Sequence, residues 1–274
     1  MIKKTIMAGV VAAAFAPGLA SAQAAPASDH TLTGNAGIFS QYIFRGNTQT
    51  NTGPALQGGA DYSHSSGLYA GTWLSNISWL TDSPGATGYS SSSLEWDVYG
   101  GYKGTIGKSD FGYDVGVLFY VYPGSFNTAA APKPLGISKA DTQEIYGALT
   151  WKWVSAKYSY SIGNKTFGVE DSRGTWYLDL TANYPITDKL TGVLHYGKQK
   201  FAGTNAALGV SNDSFASFED YKIGLSYALP KDFTVGGFFT GTSMKADQKL
   251  FYTNASDTRF TGKDTFTVFV SKTF

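Results

Sequence analysis

The sequence predicts an all-β fold, an antiparallel up-and-down barrel of about twelve strands. Three observations carry this reading. Short stretches alternate apolar and polar residues with period two, which gives each strand one greasy and one wet face. Their connections alternate between brief turns and long polar loops, so turns collect at one rim and loops at the other. Aromatic side chains gather near strand ends on the apolar face.

Ahead of the strands, residues 1–24 read as an export signal. Lys3 and Lys4 form a charged start, Ile6 to Ala16 an apolar run, and Ala20-Ser21-Ala22 and Ala22-Gln23-Ala24 two overlapping small-residue cleavage sites. The run is shorter than the roughly twenty residues a spanning helix needs. Residues 25–274 then form one barrel domain. Removing Lys3 and Lys4 takes 21 basic residues to 19 against 20 acidic ones, a near-neutral chain. That balance disfavours nucleic acid as a partner. The absence of cysteine excludes disulfide and thiolate chemistry and suits passage through an oxidising periplasm.

The first strand carries Leu32, Ala36, Ile38, Tyr42 and Phe44 on one face, with Thr33, Asn35, Gln41 and Arg45 opposite. Leu56, Ala60 and Tyr62 follow against Gln57 and Asp61, and a turn at 63–67 leads to a strand over 68–77. After a serine-rich loop, Leu94, Trp96, Val98 and Tyr102 oppose Glu95, Asp97 and Tyr99. Phe111 to Val121 alternates most cleanly, with Asp114 and Tyr120 on its polar face. A long loop over 123–142 precedes Ile145, Leu149, Trp151 and Trp153, with Glu144 and Lys152 opposite. A tight reversal gives Ala156, Tyr158, Tyr160 and Ile162 against Lys157. Trp176, Leu178, Leu180 and Tyr184 oppose Asp179; Leu190, Leu194 and Tyr196 oppose His195. Tyr221, Ile223, Leu225 and Tyr227 oppose Lys222, and Phe233, Val235 and Phe239 follow the Pro230-Lys231-Asp232 turn. Phe266, Val268, Val270 and Phe274 finish the chain.

Periodicity does not say which face points out. Width and placement do. Eight strands already enclose all the side chains a barrel interior can hold, so about twelve with an apolar interior would leave a void. Tyr62, Tyr102, Phe111, Trp153, Tyr184, Tyr227, Phe233 and Phe274 map to the turn rim, and Phe44, Trp176, Tyr196, Tyr221 and Phe239 to the loop rim. Two such girdles suit the headgroup layers of a bilayer. Charges avoid the apolar face, where a lysine or arginine at mid-depth costs about 2–4 kcal/mol. Lys272 breaks the rule near a rim, where its stem can snorkel. The expectation is a transmembrane barrel with lipid outside.

The polar face then lines a lumen with Arg45, Asp61, Glu95, Asp97, Asp114, Glu144, Lys152, Lys157, Asp179, His195 and Lys222. Acids outnumber the arginine and lysines six to four, which leans toward cations. Each of these residues also has an ordinary reading as paired wall lining. Glu95 and Asp97, two residues apart, suit wall lining better than acid–base chemistry. Gly107-Lys108-Ser109 echoes a phosphate loop, but Tyr102 stands where its first glycine belongs. With three histidines and no cysteine, no metal site or cofactor is expected and no catalytic residue is assigned. A hydrolase would have to use His195 with a nearby serine.

Several runs resemble the TorF family of porin-like proteins: Ser40-Gln41-Tyr42-Ile43-Phe44-Arg45-Gly46, Gly53 to Tyr62, Gly67 to Asn76, Glu95 to Tyr102, Tyr113 to Gly124, and Glu144-Ile145-Tyr146-Gly147. The resemblance covers most of the chain after the signal and implies an outer-membrane barrel of channel function in a Gram-negative envelope. The final strand also resembles an outer-membrane assembly signal, with Lys272 departing from the pattern. The expected activity is passive diffusion of small polar solutes or ions, without catalysis. Expected partners are outer-membrane lipid, lipopolysaccharide, the assembly machinery and the solute. The alternatives are a structural or adhesive barrel presenting its loops, and the His195 hydrolase. Whether loop 123–142 narrows the lumen is open in the sequence.

Overall fold

The computed structural model describes residues 28–83, 87–127 and 137–274. The export signal at 1–24 and most of the middle of loop 123–142 lie outside them. Twelve antiparallel strands form one closed barrel: β1 His30–Phe39, β2 Ala55–His64, β3 Leu68–Asn76, β4 Leu94–Thr105, β5 Phe111–Val121, β6 Thr142–Trp151, β7 Val154–Ser161, β8 Trp176–Pro185, β9 Leu190–Lys200, β10 Phe218–Ala228, β11 Phe233–Ser243 and β12 Thr265–Thr273. Each strand pairs with its sequence neighbours. The seam is closed by β1 on β12, from Asn35 opposite Thr273 to Phe39 opposite Phe269. Two short helices, α1 Asn212–Ala216 and α2 Ala246–Phe251, sit in the loops.

Alternation places the two faces as the polarity pattern requires. Leu32, Ile38, Leu56, Val117, Leu149, Leu180, Leu194, Ile223 and Val268 lie exposed on the outside. Glu95, Asp97, Glu144, Ser159, Gln199, Asp220 and Thr267 are buried within. The greasy face is outward. Tyr62, Tyr102, Phe111, Tyr184, Tyr227, Phe233 and Phe274 lie exposed toward the turn rim, while Tyr196, Tyr221 and Phe239 lie toward the loop rim. Trp153 belongs to the 152–153 turn, and half-buried Trp176 stacks on Tyr158. Lys272 lies over the rings of Phe233 and Phe274, at 5.0 and 4.9 Å, at the same rim.

The inside is not simply wet. Phe39, Phe238 and Phe269 are buried, and the rings of Phe39 and Phe269 stack at 5.2 Å. Inward rings lie over glycines on the neighbouring strand. Tyr99 is opposite Gly71, Tyr69 opposite Gly101, Tyr146 opposite Gly116 and Phe269 opposite Gly236. A Cβ on Gly236 would stand 2.6 Å from the Phe269 ring. Glycine therefore makes the room that lets large rings lie flat against a curved wall.

Two expectations fail here. The first strand does not run on through Phe44 and Arg45; β1 stops at Phe39, and residues 40–54 leave the wall. Phe44 consequently packs against Tyr120 and Phe167, at 5.6 and 5.4 Å between ring centres, and is no part of the girdle. Lys152 sits in the exposed 152–153 turn with φ 55°, its ammonium 4.8 Å from the Trp151 ring, so it does not line the lumen. The reversal takes only two residues, and the first has left the strand's alternation.

Candidate functional site

The segment 40–54 starts from the β1–β2 side of the barrel yet its side chains bond to the opposite wall, so it crosses the lumen. Gln41 Nε2 donates to Thr265 Oγ1 at 2.8 Å, which holds the beginning of the segment against β12. Tyr42 donates to Glu95 Oε1 on β4 at 2.8 Å. A miniature ribbon, Ile43–Phe44 with Asn47–Thr48, then turns the backbone at Arg45 and Gly46, whose φ values are 44° and 78°. Such values are rare for a residue with a side chain. Here they point the Arg45 guanidinium down into the barrel.

Arg45 is enclosed on every side. Its Nη2 donates to both oxygens of Glu144, at 3.0 and 2.8 Å, and to Tyr120 Oη at 3.4 Å. Its Nη1 donates to Gln199 Oε1 at 2.6 Å. The guanidinium carbon lies 4.3 Å from the Tyr177 ring centre, 4.9 Å from Phe44 and 5.4 Å from Phe167. The two ion-paired side chains keep 7% and 1% of their exposure. The arrangement satisfies a buried charge by two means, an ion pair in which Nη2 meets both carboxylate oxygens, and π faces.

Around this centre lie more carboxylates than cations. Glu95 and Asp97 occupy successive inward positions of β4, both buried. Glu95 Oε2 and Asp97 Oδ1 have no hydrogen-bond partner among the described residues. A second cluster sits lower on β8 to β10. His195 Nδ1 is 3.3 Å from Asp179, and its Nε2 is 3.0 Å from Asp220, which also accepts from Tyr177 Oη at 2.9 Å. With a carboxylate beside each ring nitrogen, His195 is fixed as part of the wall. Neither nitrogen is placed to take a proton from a serine. Lys222, on the same face, stands 5.3 Å from the Phe238 ring.

On the remaining wall, Asp114 accepts from Tyr69 at 2.6 Å and Asp61 from Tyr99 at 2.7 Å. Tyr69 also bonds Tyr146, whose ring centre is 4.0 Å from the ammonium of Lys157. The structure thus brings Arg45, Glu95, Asp97 and Glu144 together below the segment, gathers Asp179 and His195 into one cluster with Lys157 opposite Asp179 and Lys222 opposite His195, and places Asp61 and Asp114 elsewhere on the inner wall. Sequence reasoning missed Asp220 and the inward tyrosines 42, 69, 122, 146 and 177. Asp220 stands at an odd distance from the outward Tyr221 and Ile223, a signal available in the alternation. The tyrosines hid because a period-two reading scores them as apolar.

The segment's outer side is tied to other loops. Asn51 Nδ2 donates to Asp257 at 2.9 Å, Arg259 donates to the Asn51 carbonyl at 2.9 Å, and Ala255 N donates to Ser83 at 2.8 Å. Thr48 N donates to Thr261 O, and Ser78 N to Gln49 O. The described residues of loops 40–54, 77–93 and 244–264 therefore form one cap over the lumen.

Residues 23–274 match a family model described as "Bacterial protein of unknown function (Gcw_chp)". The chain belongs to the Gcw_chp family. No curated protein sequence matches it. Among solved structures it is similar to a KdgM porin in complex with disordered oligogalacturonate, at 10% identity and TM-score 0.48, over 88% of this chain and 99% of that one. It is similar also to the NanC porin, at 11% identity and TM-score 0.47, over 89% and 99% of the two chains. A third is OprD of Pseudomonas aeruginosa, at 15% identity and TM-score 0.39, over 89% and 66%. This Gcw_chp chain is a twelve-stranded barrel with a lumen crossed by its own first loop.

Proposed function

We propose that this Gcw_chp protein is a narrow outer-membrane channel for passive diffusion of small polar solutes or ions, with segment 40–54 as its constriction. The observation that carries this reading is the reversed polarity of the wall: exposed apolar side chains outside, and buried carboxylates, tyrosines and cations within. A lipid surround stabilises such an exterior, and water or a solute is the natural company of such an interior. The resemblance to TorF-family porin-like proteins points the same way. Selectivity follows from the inward charges. With Lys152 in a turn and Asp220 inside, Asp61, Glu95, Asp97, Asp114, Glu144, Asp179 and Asp220 face Arg45, Lys103, Lys157, Lys222 and His195, which still favours cations. The membrane would supply lipid and lipopolysaccharide around the girdles, and the terminal strand would engage the assembly machinery.

Planar-bilayer recording on purified protein tests the reading. Small single-channel steps with cation preference are expected. Glu95→Gln with Asp97→Asn should move the reversal potential toward anions; an unchanged potential refutes their role, and a barrel that never conducts refutes the channel. The hydrogen-bonded cap of three loops favours a second reading, a surface-presenting barrel. It predicts that excising loop 244–264 abolishes partner binding while solute flux persists.

A further inference from the structure

The surroundings of Arg45 form a receptor that most of the wall keeps even without its occupant. Glu144, Gln199, Tyr120 and Tyr177 lie on β5, β6, β8 and β9, and Phe167 on the loop that follows β7. Only Arg45 and Phe44 come from the crossing segment. Gln199 is itself fixed, because its Nε2 donates to the Trp176 carbonyl at 3.0 Å and so aims Oε1 at the guanidinium. If segment 40–54 withdraws, a carboxylate, an amide oxygen, a phenol and two ring faces are left converging on one point.

We propose that this cage is a binding site for guanidinium-bearing solutes, and that Arg45 fills it as a tethered occupant with which such a solute competes. The acceptor set specifies the ligand class. Glu144 and Gln199 receive two different edges of one planar group while Tyr177 covers its face. A guanidinium meets that demand; an ammonium is a point charge with no plane to stack. A divalent metal is a poorer fit, since among the described residues no group of three His, Cys, Asp or Glu side chains is placed to hold one. The backbone of the segment supports displacement. Arg45, Asn51 and Thr52 all have positive φ, at 44°, 49° and 68°, so the closed segment holds several residues in sparsely populated conformations. The inference deepens the channel reading by naming a solute class, and in that respect rests on it.

The test is Arg45→Ala in the full chain, purified in detergent as a heat-modifiable barrel and titrated calorimetrically with methylguanidinium and methylammonium. The variant should bind methylguanidinium about tenfold or more tightly than methylammonium, reflecting the second charged hydrogen bond. The parent, in which Arg45 competes for the cage, should bind methylguanidinium about tenfold or more weakly than the variant does. Glu144→Gln added to Arg45→Ala should weaken binding about tenfold or more. If Arg45→Ala does not yield a heat-modifiable barrel, Arg45→Gly, which suits the φ of 44° at this position and also empties the cage, is titrated instead. Equal binding of the two cations, or none, overturns the site. In bilayers the same variant should conduct more than the parent and be blocked by methylguanidinium. Conductance without binding removes the site and leaves the channel; binding without conductance removes the channel and leaves the site.

Discussion

Ile223 offers the sharpest test of what surrounds the barrel. It lies at the centre of β10, paired with Leu194 on one side and Phe239 on the other, and 56% of its surface faces outward. Around it on the outer face are Leu180, Leu225 and Val268, all exposed and all apolar. If the exterior is solvated, Ile223→Arg is a surface change worth within about 0.5 kcal/mol. If it meets acyl chains, an arginine at mid-depth costs about 2–4 kcal/mol, a roughly 30- to 700-fold shift in the folding equilibrium. The same substitution at Tyr227, near the end of β10 at the turn rim, should cost only about 0–1 kcal/mol. The two variants share a strand and a face, so depth is what separates them. Urea unfolding in lipid vesicles, followed by tryptophan fluorescence, reads both. Equal stability of parent and Ile223→Arg, or a variant that stays dispersed without detergent, would refute the lipid-facing exterior.

Two more perturbations address the crossing segment and its cap. Gly46 has φ 78°, and a Cβ there would stand 2.6 Å from Asp220 Cβ and 2.7 Å from Thr242 Cγ2. Gly46→Ala should therefore push the segment from the lumen at a cost of about 1–2 kcal/mol in backbone conformation alone, with higher conductance and an unchanged barrel on heat-modifiability gels; parent-level conductance would show that the segment is not the constriction. Asp257 is held below the usual carboxylate range by the Asn51 side-chain amide and the Arg259 backbone N–H. A depressed carboxylate adds stability above its unfolded pKa of about 3.9, and that stability is lost as pH falls through the lower folded value. The cap should thus stay closed at pH 5 and loosen only on stronger acidification. An environment-sensitive dye on Ser256→Cys in this cysteine-free chain reports it, and Asp257→Asn should lack the acid transition; a transition at or above pH 5 would refute the assignment.

How far the sequence speaks depends on what each residue's neighbours are. The strands were legible because alternation is a local property, and the wall at β5 shows it at its cleanest, with Val115, Val117 and Phe119 out and Asp114, Leu118 and Tyr120 in. Glu95, Asp97 and Glu144 were legible as inward for the same reason. Segment 40–54 was not. Ile38, Tyr42 and Phe44 continue the alternation of β1, so the period says strand where the chain has already turned inward. The only local hint was Gly46, and glycine beside arginine is a weak signal. Arg45 was expected inside and lies inside, but it arrives from a loop and meets Glu144 and Gln199 from across the barrel, contacts that no local pattern encodes. The ring-over-glycine pairs stood in the sequence as isolated glycines within strands, and their meaning needs the register of the partner strand.

The same width that argued for lipid outside also explains why a loop must enter. Twelve strands enclose more space than their inward side chains fill. On the β1, β11 and β12 side the deficit is met by Phe39, Phe238 and Phe269, and at the loop rim by segment 40–54. Those two fillings differ in kind. Aromatic packing is retained because removing it exposes apolar surface and opens a void. The Arg45–Glu144 pair is different: its Coulomb attraction is largely offset by the desolvation of two charges, so its net contribution to stability is small when both partners can find replacements. Breaking it without a replacement leaves a buried charge and is strongly opposed; exchanging Arg45 for another cation is not. On the proposed reading, a constriction held by an exchangeable ion pair should yield to the class of solute that can take the arginine's place.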